Sequence, residues 1–143
     1  MIEVNNLTKA PVDKKFLRKI GQKVLEKESP LAKATENKEK KKIDLSIVLV
    51  GQKKIRELNK NYRKKDRATD VLSFKYNSLG EIVICPEAVR KNAKKFNSTF
   101  KKELARVLIH GILHLLGYNH KKSSRETDKM CKKERYYLSY LKF

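Results

Sequence analysis

The segment STFKKELARVLIHGILHLLGYNH (98–120) combines a long apolar helix pattern with all three histidines of the chain. Ser98 or Thr99 is suited to cap the start of this helix. The apolar residues that follow surround the helix on nearly every side: Leu104, Val107, Leu108, Ile109, Ile112, Leu113, Leu115 and Leu116. A helix that is apolar all round lies inside a core. The segment therefore predicts a central helix around which the rest of the chain packs.

The remaining segments predict an α+β fold in one domain that spans residues 1–143. Apolar alternation and β-branched runs predict about four strands: a weak one around Ile2 and Val4, then IDLSIVLV (43–50), VLSFKY (71–76) and EIVIC (81–85). Helical spacing predicts about five helices: one from Pro11 to Ser29, a short one over 55–62, one opening at Pro86, the central one, and a C-terminal one with a Ser123/Glu126 capping box. NSLG (77–80) suits a turn between two strands. We expect a small mixed sheet packed with these helices.

The histidines follow the pattern H-x-x-x-H-x-x-G-x-x-H within residues 110–120. Residues four apart lie on one face of a helix, so His110 and His114 can bind one ion. Gly117 is suited to end the helix, and the following turn can bring His120 back as a third nitrogen ligand. Three protein ligands leave a fourth position open, as in catalytic zinc sites. We therefore predict one Zn²⁺ per chain on the central helix. Nickel, copper or iron would also accept these ligands, and the alternative is one core histidine with two on the surface.

Gly111 stands where H-E-x-x-H zinc proteases carry a glutamate as general base. Glycine has no side chain that can accept a proton, so peptide hydrolysis is disfavoured. Hydrolysis of another bond stays open, because zinc alone lowers the pKa of bound water toward ~7. A base could also come from elsewhere in the chain or from the substrate.

The charge of the chain favours a polyanionic partner. It has 36 Lys and Arg against 16 Asp and Glu, a formal net charge of +20. Residues 53–67 hold eight basic residues against two acidic ones, 90–102 hold six against none, and 121–135 hold seven against three. RNA, DNA or an acidic membrane surface would suit this excess, although basic faces that merely keep the protein soluble are the alternative. Charge alone does not choose RNA over DNA.

The sequence also bears on location. No run approaches the roughly 18 apolar residues of a membrane span, and the N-terminus has no apolar core of signal-peptide length. Cys85 and Cys131 are too few for a disulfide framework, and their neighbours predict buried thiols. We expect a cytoplasmic protein without a membrane span.

Three motifs in the order ELNKNYRKKDRATDVLSF (57–74), LGEIVICP (79–86) and HGILHLLGYNH (110–120), followed by Met130 and Glu134, resemble the YbeY family of endoribonucleases, also called rRNA maturation factors. The resemblance covers roughly residues 40–138. It implies a zinc-binding fold with a mixed sheet and surrounding helices. It also implies a single-strand-specific ribonuclease that acts on the small ribosomal subunit, in 16S rRNA 3′-end maturation and ribosome quality control.

By position, the resemblance implies that His110, His114 and His120 are the metal ligands and that Arg63 is a catalytic residue. A guanidinium suits a phosphate in the pocket, and the alternative is that Arg63 is one more arginine in a basic run. Asp70 and Ser73 are implied to lie near the site in supporting roles only.

Two positions depart from the family pattern. Asn119 stands where an aspartate usually precedes the last histidine, and Glu81 stands where an aspartate usually follows the glycine that opens the strand. Asn119 can still accept a hydrogen bond but cannot act as a base.

Three hypotheses follow. In the leading one, water activated by zinc or a ribose 2′-hydroxyl attacks an RNA phosphodiester while Arg63 and lysines stabilise negative charge. In the second, the protein is a ribosome-assembly factor that binds RNA and uses zinc for structure. The third, a zinc peptidase, is disfavoured by Gly111. The sequence does not indicate protein partners, the cleavage site or the oligomeric state.

Overall fold

A computed structural model describes residues 1–28, 43–118 and 124–141 and contains four strands and five helices. In chain order these are β1 (Ile2–Asn6), α1 (Lys14–Glu28), β2 (Asp44–Leu49), α2 (Gln52–Arg63), β3 (Val71–Tyr76), β4 (Leu79–Ile84), α3 (Pro86–Lys95), α4 (Phe100–Leu115) and α5 (Ser124–Ser139). This is the predicted α+β fold, and each predicted strand and helix is present. The predicted capping residue Ser123 lies outside the described residues.

The strands form one mixed sheet in the order β1-β2-β4-β3. β1 and β4 run parallel to β2, whereas β3 runs antiparallel to β4 and forms an edge of the sheet. Alternation along β2 decides which face is buried, because Leu45, Ile47 and Leu49 are completely covered. The position of β3 matters for the site, because this edge strand lies beside α4.

Helices cover both faces of the sheet. α1, α4 and α5 pack on one face with the residues of the larger core, and α2 packs on the other over a smaller cluster that includes Ile55, Leu72 and Val83. α4 is the central helix that the sequence predicts, with ten of its sixteen residues buried. Of the two candidate caps, Thr99 is the one used: its side chain accepts a hydrogen bond from the backbone N–H of Lys102 at 3.1 Å. None of the helices in the described ranges is long and apolar enough to cross a membrane.

Two local expectations need correction. The turn between β3 and β4 is shorter than NSLG, because β4 already begins at Leu79 and Gly80 lies within the strand. A Cβ on Gly80 would come within 2.7 Å of Leu115 Cδ1, so the glycine serves close packing of α4 rather than the turn. Cys85 is buried as expected, but Cys131 on α5 is only partly covered.

Candidate functional site

His110 and His114 line a groove of about 940 Å³ between α2, β3 and α4. α4 contributes Arg106, His110 and His114 to its wall, and α2 contributes Tyr62 and Arg63. The structure thus brings the predicted catalytic arginine and two predicted metal ligands together across 47 positions of sequence. His120 lies outside the described residues, as does Asn119.

His110 and His114 point their rings toward each other. Their Nε2 atoms are 3.0 Å apart, and their ring planes are nearly perpendicular. The Nδ1 atom of His110 contacts a carboxylate oxygen of Glu134 on α5. A carboxylate that accepts from Nδ1–H fixes the tautomer of a histidine so that Nε2 carries the lone pair.

This donor set fits a zinc ion. Two nitrogens that each lie about 2.0–2.1 Å from a tetrahedral zinc are about 3.3 Å apart, close to the 3.0 Å between the two Nε2 atoms. A carboxylate behind the first histidine is the usual support of such a ligand. Among the described residues, no three His, Cys, Asp or Glu side chains form a metal-binding group. His120 as the third ligand therefore stays a prediction that rests on the sequence spacing alone.

Gly111 faces the sheet and not the groove. A Cβ at this position would lie 3.1 Å from Ser73 Oγ and 3.2 Å from Ile82 Cγ2. Ser73 Oγ also donates a hydrogen bond to the Gly111 carbonyl oxygen at 3.0 Å, which ties α4 to β3. A glutamate at position 111 would therefore enter the packed interface between α4 and the sheet. The missing protease base has a steric explanation.

The groove carries both signs of charge. Arg63, Lys65 and Lys75 lie on its α2 and β3 sides, and Asp70 lies among them. Asp70 accepts a hydrogen bond from Asn92 of α3 at 3.3 Å. The structure thus places Asp70 and Ser73 beside the histidines, as the resemblance implies, with Asp70 linked to α3 and Ser73 to α4.

Arg106 is a groove residue that the sequence analysis did not single out. It lies one helical turn before His110 and forms a two-pronged ion pair with the buried Glu103 of the same helix, at 2.8 and 2.6 Å. The hydrogen bonds that Arg106 donates to Glu103 raise the pKa of Arg106 above its ordinary value. Its charge in the groove is therefore permanent and its position is held by Glu103.

The carboxylate of Glu28 and its three hydrogen-bond donors hold the chain where it leaves α4. Glu28, at the end of α1, accepts hydrogen bonds from the hydroxyls of Tyr118 and Tyr137 and from Lys133 Nζ. Burial opposes ionisation of Glu28, but these three donors outweigh it and lower the pKa of Glu28. Burial and the bond to Glu28 raise the pKa of Tyr118 to about 12. Tyr118, two residues before His120, is thereby fixed to both α1 and α5.

Glu134 and Glu28 carried little signal in the sequence. Glu134 belongs to the pattern that resembles the family, and no motif in the sequence contains Glu28. Both act on residues 24 to 109 positions away, so no local pattern reports their partners. The one sequence feature that Glu28 and Glu134 share is that each is an acidic residue in or beside a strongly basic stretch.

The architecture has a counterpart among solved structures. The solution structure of a Thermotoga maritima protein (TM1509) superposes with a TM-score of 0.65 at 34% sequence identity, over 97% of this chain and 87% of that one. The family model described as Endoribonuclease YbeY matches residues 3–142. This chain belongs to the endoribonuclease YbeY family.

Curated relatives agree with this assignment. The endoribonuclease YbeY of Thermotoga maritima is 40% identical over 121 residues, 82% of this chain and 81% of the relative. That of Thermodesulfovibrio yellowstonii is 49% identical over 106 residues, 68% and 67% of the two chains. That of Thermosipho melanesiensis is 34% identical over 139 residues, 94% and 93%. Family membership supports an RNA-cleaving hydrolase, with RNA as the substrate class.

Proposed function

We propose that this protein is a metal-dependent endoribonuclease specific for single-stranded RNA, acting in the cytoplasm on the small ribosomal subunit in 16S rRNA 3′-end maturation and ribosome quality control. The observation that carries the proposal is the shared groove: Arg63 from α2 and the facing pair His110 and His114 from α4 line one cavity. Cations beside a metal-binding pair suit a phosphodiester, whose charge increases in the transition state.

The residues that would hold zinc are His110 and His114, with His120 as the third ligand that the sequence spacing predicts. When bound, zinc supplies Lewis acidity and makes a nucleophilic oxygen available near neutral pH. Glu134 keeps the imidazole of His110 in the orientation in which Nε2 faces His114.

Arg63 would hold the scissile phosphate. A planar guanidinium donates two parallel hydrogen bonds to phosphate oxygens, and both strengthen as negative charge builds up. Lys65 and Lys75 line the same groove and would attract the RNA backbone on either side. Arg106 lines the groove one helical turn before His110, and its ion pair with Glu103 holds the guanidinium in place while offsetting much of its charge.

The test compares one labelled sequence as single-stranded RNA, as an RNA duplex and as single-stranded DNA. The purified protein should cleave the single-stranded RNA, cleave the duplex and the DNA poorly, lose activity in a chelator and regain it when zinc is added back. RNA that is bound but left intact under all conditions would replace the nuclease with an RNA-binding assembly factor. Cleavage that is insensitive to chelator would remove the metal from the proposal.

A further inference from the structure

Three aromatic side chains form a continuous strip beside the proposed site. Tyr62 on α2 meets Phe74 on β3 edge to face, with ring centroids 5.1 Å apart. Phe74 is followed on the same side of β3 by Tyr76, whose ring is nearly parallel (22°) at 6.5 Å. Tyr62 and Phe74 also line the groove that holds His110 and His114. We call these three residues the aromatic strip.

The ends of the aromatic strip are exposed although its middle is anchored. Tyr62 is 63% exposed and Tyr76 is 50% exposed. Phe74 is partly buried and packs on the smaller core cluster with Leu72 and Val83. Helical spacing from Ile55 and Leu58 would place Tyr62 on the inner side of α2, yet its ring remains largely in contact with solvent. Two large rings on a rigid base are thus available to a partner.

The surroundings of the aromatic strip indicate which partner. Arg63 directly follows Tyr62, and Lys75 lies between Phe74 and Tyr76 and faces the opposite side of β3. Lys65 and Lys75 line the groove with Arg63. Aromatic rings bordered by cations are the combination that binds single-stranded nucleic acid, because bases stack on the rings while the cations follow the phosphates.

We propose that the aromatic strip is a base-stacking platform that binds one or two bases of single-stranded RNA next to the phosphate at Arg63. This inference rests on the proposed function and deepens it by assigning the residues that select unpaired RNA. Bases of a duplex are already stacked and paired, so their faces are not accessible to Tyr62 and Tyr76. Selection of single strands then follows from the aromatic strip and requires no reading of sequence.

The experiment is single-turnover cleavage of a single-stranded RNA at increasing protein concentration, with Tyr62→Ala and Tyr76→Ala. Each variant should raise the half-saturating protein concentration about five- to thirty-fold, the scale of one lost base-stacking contact. The maximal rate should change by less than about threefold, because a ground-state contact is lost and no transition-state donor is removed. Tyr62→Phe and Tyr76→Phe keep the ring and should restore near-normal values.

Phe96→Ala is the matched control. Phe96 is 62% exposed, the same as Tyr62 within a percentage point, and it does not line the groove. It should leave both constants unchanged. Thermal melting of all variants shows whether the fold is kept, and Tyr76→Ala is decisive because Tyr76 is not adjacent in sequence to Arg63.

A second experiment tests whether each ring contacts a base of the RNA. An abasic nucleotide at the stacked position should weaken wild-type saturation about as much as Tyr62→Ala or Tyr76→Ala does, and the same abasic RNA should give little further loss in the corresponding variant. Unchanged half-saturation in both alanine variants, or fully additive losses at every abasic position, would overturn the platform. So would a fall in maximal rate at unchanged half-saturation.

The platform and the nuclease proposal fail in different ways. Wild-type protein that cleaves while the alanine variants bind normally rejects the platform alone. Wild-type protein that cannot cleave rejects the nuclease, and the platform is then judged by fluorescence anisotropy of the same RNAs, where the alanine variants should raise Kd by the same factor.

Discussion

Replacing Gly111 with alanine should lower the free energy of unfolding, even though alanine is the better helix former. Alanine gains ~1 kcal/mol over glycine inside a helix. The new Cβ, however, would lie 3.1 Å from Ser73 Oγ and 3.2–3.3 Å from two carbons of Ile82. Ser73 is held by its bond to the Gly111 carbonyl, and Ile82 is completely buried, so neither side chain moves easily. Overpacking of this kind costs about 1–3 kcal/mol, which leaves a net loss of roughly 1 kcal/mol.

The assay is denaturant unfolding together with a thermal melt, where a loss of this size lowers Tm by about 4 °C for a domain of this length. Gly51→Ala is the control, because Gly51 has an ordinary extended backbone and no atom within 4 Å of an added Cβ. Because Gly51 is the N-cap of α2, where glycine is preferred to alanine, its replacement should cost about 0.5 kcal/mol through the cap alone, with no packing cost. A Gly111→Ala protein that is more stable than wild type by the full helix gain would refute the packing argument. It would also remove the steric explanation for the absent protease glutamate.

Three further perturbations address the site. His114→Ala should reduce bound zinc from about one ion per chain to a small fraction, measured by elemental analysis, because two remaining imidazoles hold a catalytic ion weakly; stoichiometric metal in this variant would end the three-histidine assignment. Arg63→Ala should lower single-turnover cleavage by roughly ten- to a thousand-fold with unchanged zinc content, and Arg63→Lys should recover little; Arg18→Ala on the outer face of α1 removes the same charge and should leave the rate intact. Glu28→Gln should lower the free energy of unfolding at pH 7 by ~2 kcal/mol as charged acceptors become neutral. Since the pKa of Glu28 is lowered from 4.5 in the folded state, its carboxylate stabilises the fold above pH 4.5 and that contribution is lost as the pH falls through the lower folded value. Wild-type stability should consequently fall more steeply on acidification than that of Glu28→Gln, and parallel pH curves would contradict this.

The predictable part of the fold was the part encoded in local periodicity. The alternation of Leu45, Ile47 and Leu49 predicted the buried face of β2. The nearly continuous apolar residues of α4 predicted its central position. The pairing of strands had no such signature, and neither did the edge position of β3. Gly80 illustrates the limit: a glycine after an asparagine-containing turn reads as part of that turn, whereas its actual reason is the approach of Leu115 from a different element.

The site divides in the same way. His110 and His114 are neighbours through helix geometry alone, so the spacing predicted their proximity. Glu134 and Arg106 contribute through tertiary contacts, which no local pattern predicts. Glu134 is an acidic residue in a basic helix, and Arg106 is an arginine in an apolar helix. The prediction that Arg63 lies at the site depended on the family resemblance. Its own segment has eight basic residues, and no local feature distinguishes one from another.

The contact between Glu134 and His110 has a consequence for the order of events during synthesis. α5 leaves the ribosome after α4, so a growing chain that has exposed α4 holds His110 before its carboxylate partner exists. Tyr118 likewise meets Glu28 early, but Lys133 and Tyr137 join that cluster only once α5 is made. The contact that orients His110 can therefore form only after α5 has been synthesised. Under the proposed function, a chain whose α5 is not yet made lacks the carboxylate that orients His110.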